Sequence, residues 1–297
     1  VHTRSGPLPR ARSKLVELAT APFPYAGLVP RTNKPFLDVT ENGRRGHRTG
    51  AGRIYWEDET YSDRQVLLHL PKGFDIRRPS LLIVFFHGHG AKLADDVYLR
   101  QQVPAQISAS GINAALIAPQ LALNAADSSA GKFWEPGAFA RFLGEAAQQL
   151  ARLHGDPRSV RSFASMPVMI VAYSGGYLAT AWSVHHGGLG KRLQGVVLFD
   201  ALYGELDTFA DWVAQQKSAF FVSTYTRSTE ARNVLLQKVL AERQVPFTTA
   251  LEPRLLAGSV AFLPAPKDAG HRDFLTYAWV DEPLRDLLAR LRGYGRR

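Results

Sequence analysis

Cysteine is absent from all 297 residues. Its absence removes thiol nucleophiles, disulfides and thiolate metal sites together. Any chemistry must therefore run on hydroxyl, imidazole, carboxylate, amine or backbone groups. A cysteine-free chain suits an oxidising compartment. With Val1 rather than methionine in first place, the start is read as processed, a secretory signal having been removed. Periplasmic or secreted is the location this implies. Long apolar runs are missing too. The longest, residues 81–86, is strand-sized and far short of the roughly 18 or more residues of a membrane-spanning helix. No internal repeat or long low-complexity tract occurs.

Acidic charge is scarce at the two ends. The chain carries +10 overall, but residues 1–53 hold +7 and residues 285–297 hold +4, leaving −1 for everything between. The excess therefore belongs to the ends and not to the middle. Basic ends of this kind can make peripheral contact with an anionic surface or polymer, or simply remain solvated. Aromatic residues do not interleave with the basic ones in the way single-stranded nucleic acid requires, so nucleic acid is not an expected partner.

What is present is a regular alternation. Apolar, β-branched or aromatic runs at residues 65–70, 81–86, 112–118, 168–172, 195–199, 219–225 and 259–263 predict strands. The continuous run at 81–86 predicts a strand buried on both faces. Between them lie helical patterns. Phe139, Phe142, Leu143, Ala146, Leu150 and Leu153 form one stripe, and residues 230–243 and 281–292 are similar. Strands alternating with helices predict an α/β fold, a mostly parallel sheet with helices on both faces. Residues 54–297 are expected to form this domain. Residues 1–53, rich in Pro, Gly and Arg, are expected to be an irregular arm.

One strand leads into Ala172-Tyr173-Ser174-Gly175-Gly176, and a helical pattern follows from Tyr177. Strand, tight turn and helix with serine at the apex would expose its hydroxyl above the sheet. The helix N-terminus favours negative charge developing there. Directly after the strand at 81–86 stands His87-Gly88-His89-Gly90. His271 lies in a Gly-His turn after the last predicted strand. With these three elements the chain resembles the α/β-hydrolase superfamily over about residues 60–292, in particular its serine esterases and depolymerases. It departs from the usual Gly-x-Ser-x-Gly only by Ala172. Residues 70–75 are similar to the segment leading into that strand in secreted esterases and polyester depolymerases.

The resemblance implies Ser174 as nucleophile, His271 as its base, and an oxyanion hole from the backbone N–H groups of His89 and Gly175. The acid is open between Asp200, which ends the strand after the serine, and Glu230, which follows the next one. Asp200 is favoured, and Asp207 suits a helix start better. No cofactor is implied. Metal binding by His87 and His89 would find only Asp95 and Asp96 nearby, short of a full ligand set, so no metal is expected. His185 and His186 read as a helix end. The long segment Gln120 to Gly137 would either wall the pocket with Trp134 or be a surface loop with Trp134 packed inward, and Tyr173 beside the serine is a second expected substrate contact. No large lid domain is visible, which favours an open site and an extended or polymeric substrate. The expected activity is hydrolysis of a carboxylic ester, on an acylated glycan or another envelope polymer. Amide hydrolysis of cell-wall peptides is the alternative with the same triad, and a non-catalytic scaffold binding polyanions through its ends is the third.

Overall fold

The computed structural model describes residues 6–296. Residues 1–5 and 297, the outermost parts of the two basic ends, lie outside the described residues. Eight strands make the main sheet. They are β1 (Arg12–Glu17), β2 (Gln65–Leu70), β3 (Leu81–Phe86) and β4 (Ala114–Pro119). Then come β5 (Val168–Tyr173), β6 (Leu193–Phe199), β7 (Phe220–Tyr225) and β8 (Val260–Pro264). Their spatial order is β1-β2-β4-β3-β5-β6-β7-β8. β2 runs antiparallel to both its neighbours, and the other pairings are parallel. All seven expected strands occur, their ends shifted by at most two residues.

The helices that cover the sheet are α1 (Val103–Ala109), α2 (Ala138–His154), α3 (Tyr177–His186), α4 (Leu206–Gln215), α5 (Glu230–Glu242) and α6 (Pro283–Ala289). Alternation along a strand sends successive side chains to opposite faces. Leu82, Val84 and Phe86 of β3 join one core with Phe139, Phe142 and Leu150 of α2 and with residues of α3, α4 and α5. Leu81, Ile83 and Phe85 join the other core, with Ile107 of α1 and Leu284, Leu287 and Leu288 of α6. Both faces of β3 are thus dry, which is why its sequence is an unbroken apolar run. Only residues 200–205 separate β6 from α4, so no helical insertion stands over this edge of the sheet. No helix among the described residues is long and apolar enough to cross a membrane.

The expected irregular arm is corrected by the structure from residue 12 onward. β1 pairs along its whole length with β2, Arg12 opposite Leu70 and Glu17 opposite Gln65. Its sequence hides it, because an edge strand carrying Arg12, Lys14 and Glu17 has little apolar periodicity; charged side chains keep such an edge from pairing further. Val39–Glu41, Arg44–Arg48 and Ile54–Trp56 form a small antiparallel meander. Its first hairpin turns at Asn42-Gly43, both at positive φ (50° and 78°). Two positive φ values are what a tight two-residue hairpin needs and what Asn-Gly supplies. Part of the basic charge is neutralised locally. Arg44 pairs with Asp58 and Glu59 at 2.7 Å, and Arg45 with Glu57 at 2.9 Å.

Behind the meander the N-terminal segment enters the core. Phe36 is fully buried. It stacks on His47 at 4.4 Å and meets Tyr61 at 4.9 Å and Trp134 at 5.5 Å between ring centres. Truncating a buried phenylalanine removes about 3–5 kcal/mol. Phe36→Ala should therefore lower the unfolding free energy by that order in urea denaturation, where a residue on an unattached arm would leave it unchanged.

Candidate active site

Ser174 stands immediately after β5 and opens the turn Ser174–Gly176 that leads into α3. Its φ is 50°, a left-handed conformation that a non-glycine residue holds only when its surroundings impose it. The surroundings are visibly tight. A Cβ on Gly176 would lie 2.3 Å from the Phe86 carbonyl oxygen. One on Gly88 would lie 2.8 Å from Ser174 Cβ, and one on Gly175 2.5 Å from the His89 ring. The turns after β3 and β5 are therefore pressed together, and glycine at these positions allows it.

Strand ends collect the polar groups. The segments after β3, β5, β6, β7 and β8 all leave the carboxyl edge of the parallel sheet, where open α/β sheets place their sites. His271 Nε2 lies 2.9 Å from Ser174 Oγ, and its Nδ1 lies 2.6 Å from Asp200 Oδ2. Asp200 has no exposure to solvent. Its carboxylate also accepts from the Thr226 N–H at 3.0 Å, the Thr226 hydroxyl at 2.6 Å and the Thr229 hydroxyl at 2.7 Å. Burial pushes the Asp200 pKa up, but the hydrogen bonds from His271, Thr226 and Thr229 outweigh it, and the net direction is down. Glu230, the competing acid, is exposed at the start of α5, and Asp207 is exposed in the first turn of α4.

His89 and Gly175 face each other across the serine turn, and the His89 ring meets Ser128 Oγ at 2.7 Å. His87 is turned inward and buried. Its Nδ1–H donates to the Gly88 carbonyl at 2.7 Å. Its Nε2 accepts from the Leu121 N–H at 2.8 Å and from Gln120 Nε2 at 2.9 Å. Burial lowers its pKa to about 4, so it is neutral, and both nitrogens are spent on fastening the turn. His185 and His186 close α3, as expected of a helix end.

A cleft of about 490 Å³ opens over Ser174, within the range of small-molecule sites. Tyr173 lines it: its ring stacks on His271 at 5.2 Å, and its hydroxyl donates to the His271 carbonyl at 2.7 Å. Trp134 does not line it. The indole is buried against Tyr25 and Phe36, because the aromatic N-terminal segment supplies an apolar bed for it that the arm reading did not anticipate. The long loop sends Ser128 into the cleft instead. Behind Ser128, Asp127 accepts from the Tyr61 hydroxyl at 2.9 Å and from Ser129 at 3.0 Å.

Sequence reasoning also missed Thr226, Thr229, Tyr177, Tyr203, Arg100 and Arg272. Tyr203 sets its ring edge-on to His271 at 6.1 Å. The two threonines had a usable signal: polar residues directly after β7 must lie beside the end of β6, where Asp200 stands.

A carboxyl with a folded pKa below its unfolded value of about 3.9 adds stability above that value and loses it as pH falls through the folded pKa. Replacement Asp200→Asn should therefore destabilise most above about pH 5, with the difference from wild type shrinking below about pH 4. Thr229→Val, which removes one hydrogen bond to a buried charge, should cost about 1.5–3 kcal/mol at neutral pH. Urea denaturation at neutral and acid pH reads both; a pH-independent difference for Asp200→Asn would contradict the account.

No family model and no curated protein matches the sequence. Among solved structures, the chain is similar to a ferulic acid esterase at 13% identity, over 89% of this chain and 93% of that one, with a TM-score of 0.47. It is also similar to an S-formylglutathione hydrolase from Agrobacterium tumefaciens (9%, 84% and 94%, 0.46). A third is an IroE-like serine hydrolase from Shewanella oneidensis (10%, 95% and 79%, 0.48). Likeness at these identities concerns fold alone. On its own strands, an eight-stranded mostly parallel sheet covered by helices on both faces with a serine elbow at the end of a central strand, this chain has the α/β-hydrolase fold.

Proposed function

We propose that the protein is a serine hydrolase that cleaves carboxylic esters through an acyl-enzyme, with Ser174 as nucleophile, His271 as general base and Asp200 as its orienting acid. The observation that carries the reading is the hydrogen-bonded line from Ser174 Oγ through His271 to buried Asp200, set beside a serine held at positive φ.

Ser174 Oγ attacks the ester carbonyl as His271 Nε2 takes its proton. Asp200 keeps the other proton on Nδ1 and stabilises the imidazolium that forms. The backbone N–H groups of His89 and Gly175 receive the negative oxygen, each such donor being worth about a hundredfold or more in rate. His271 then passes its proton to the leaving alcohol. Water, deprotonated by the same imidazole, releases the acid from Ser174. No step needs a cofactor. The cleft is open, since His89 and Arg272 on its rim are exposed, and an acylated glycan or other envelope polymer met in the periplasm or outside the cell suits that opening.

A fluorophosphonate probe should label Ser174 alone, and Ser174→Ala should take no label. Steady-state assay of matched aryl esters and anilides should show ester turnover that falls by about 10³–10⁴-fold in Asp200→Asn. Absence of both labelling and ester turnover in folded protein would sink the reading, and faster anilide than ester turnover would replace it with an amidase.

A further inference from the structure

The cleft over Ser174 is lined by two arginines, Arg100 and Arg272, and by no aspartate or glutamate. Of the nearby carboxylates, Asp96 pairs with Arg100 itself, and the others are engaged elsewhere. Asp200 lies beneath His271, Asp127 is held by Tyr61 and Ser129, and Asp268 accepts from the Tyr277 hydroxyl. Asp96 pairs with Arg100 Nε at 2.9 Å. Exposed Asp273 lies outside the lining. Arg100 Nη1 donates to the Arg272 carbonyl at 3.1 Å, which ties the two arginines to one another. Arg272 itself is exposed, and no described residue forms an ion pair with it.

Where these charges stand matters more than their number. Arg272 follows His271 in the chain, and Arg100 lines the same cleft as Tyr173, whose ring stacks on the same imidazole. The proton from His271 Nε2 must reach the leaving oxygen, so the alcohol half of the ester has to lie beside this imidazole. The Arg272 guanidinium, which unlike that of Arg100 forms no ion pair with a described residue, presents a planar fork that donates bidentately to a carboxylate. We infer that Arg100 and Arg272 form a subsite for the leaving group, and that the preferred substrate is an ester whose alcohol portion carries a carboxylate. This rests on the hydrolase reading above and adds the charge and side of its substrate.

Three esters test it. The butyrate esters of 4-hydroxybenzoate and 4-hydroxybenzamide share an acyl chain and match in leaving-group shape, differing in charge. The succinate half-ester of 4-hydroxybenzamide moves the carboxylate to the acyl side. At low ionic strength kcat/KM for the hydroxybenzoate ester should exceed that of the hydroxybenzamide ester by about tenfold, the scale of one charge-assisted contact. The ratio should fall towards one in Arg272→Gln and in Arg100→Gln, be partly kept in Arg272→Lys, and weaken with added salt. Thermal unfolding establishes that each variant is folded. A wild-type ratio near one, a ratio unmoved by the glutamine substitutions, or a preference for the succinate ester would overturn the inference. In those cases the neutral ester is still turned over and Ser174 still labelled, whereas loss of both signals is failure of the hydrolase reading itself.

Discussion

A buried carboxylate is tolerable only when its charge is met by hydrogen bonds, because removing an ion from water otherwise exceeds anything packing returns. Asp200 meets that condition by drawing donors from segments far apart in the chain: Thr226 and Thr229 after β7, and His271 after β8. Each donor arrives at the carboxyl edge because β6, β7 and β8 run parallel and in register. The geometry at Ser174 depends on this, since His271 reaches the serine with one nitrogen while Asp200 holds the other. The sheet thus aligns the ends, and the charge fixes the rotamers at those ends.

The central strands and the serine turn were legible in the sequence for a physical reason. β3 and β5 are buried on both faces, so every position is apolar and the run announces itself. Ser174 is followed by two glycines where residue type is constrained by space, and His271 follows Gly270 in a short turn after the last strand. What was not legible lies where environment is set from outside the segment. β1 is an exposed edge with a charged sequence. The loop sequence leaves Trp134 open between the pocket and the interior, and the aromatic residues Tyr25 and Phe36 far upstream decide that it turns inward. The Asn42-Gly43 turn was a readable local signal, masked by the arginines around it.

The N-terminal segment is tied into the rear wall of the cleft. Tyr61 fastens Asp127, the Tyr55 hydroxyl accepts from the Ala126 N–H at 3.0 Å, and Lys132 N–H donates to the Pro22 carbonyl at 2.8 Å. Ser128, which meets the His89 ring, is carried on that clamped loop. Charge that looked like a polyanion-binding tail serves in part to close the meander, through the pairs of Arg44 and Arg45 with the acidic residues at 57–59. Exposed pairs of this kind add little energy singly, and their effect is to set the direction of the segment.

The order in which the chain becomes available has its own consequence. His271 lies 97 residues after Ser174 and 71 after Asp200, beyond the last strand of the sheet. The tail then closes the far side, with Asn113 N–H donating to the Tyr294 carbonyl at 2.5 Å and Arg296 N–H to the Gly111 carbonyl at 3.0 Å. Such non-local contacts form late, after the loops between them have been closed. A chain still being synthesised therefore carries Ser174 before the imidazole that meets it in the complete fold. The Ser174–His271–Asp200 line is complete only when the chain beyond β8 is in place.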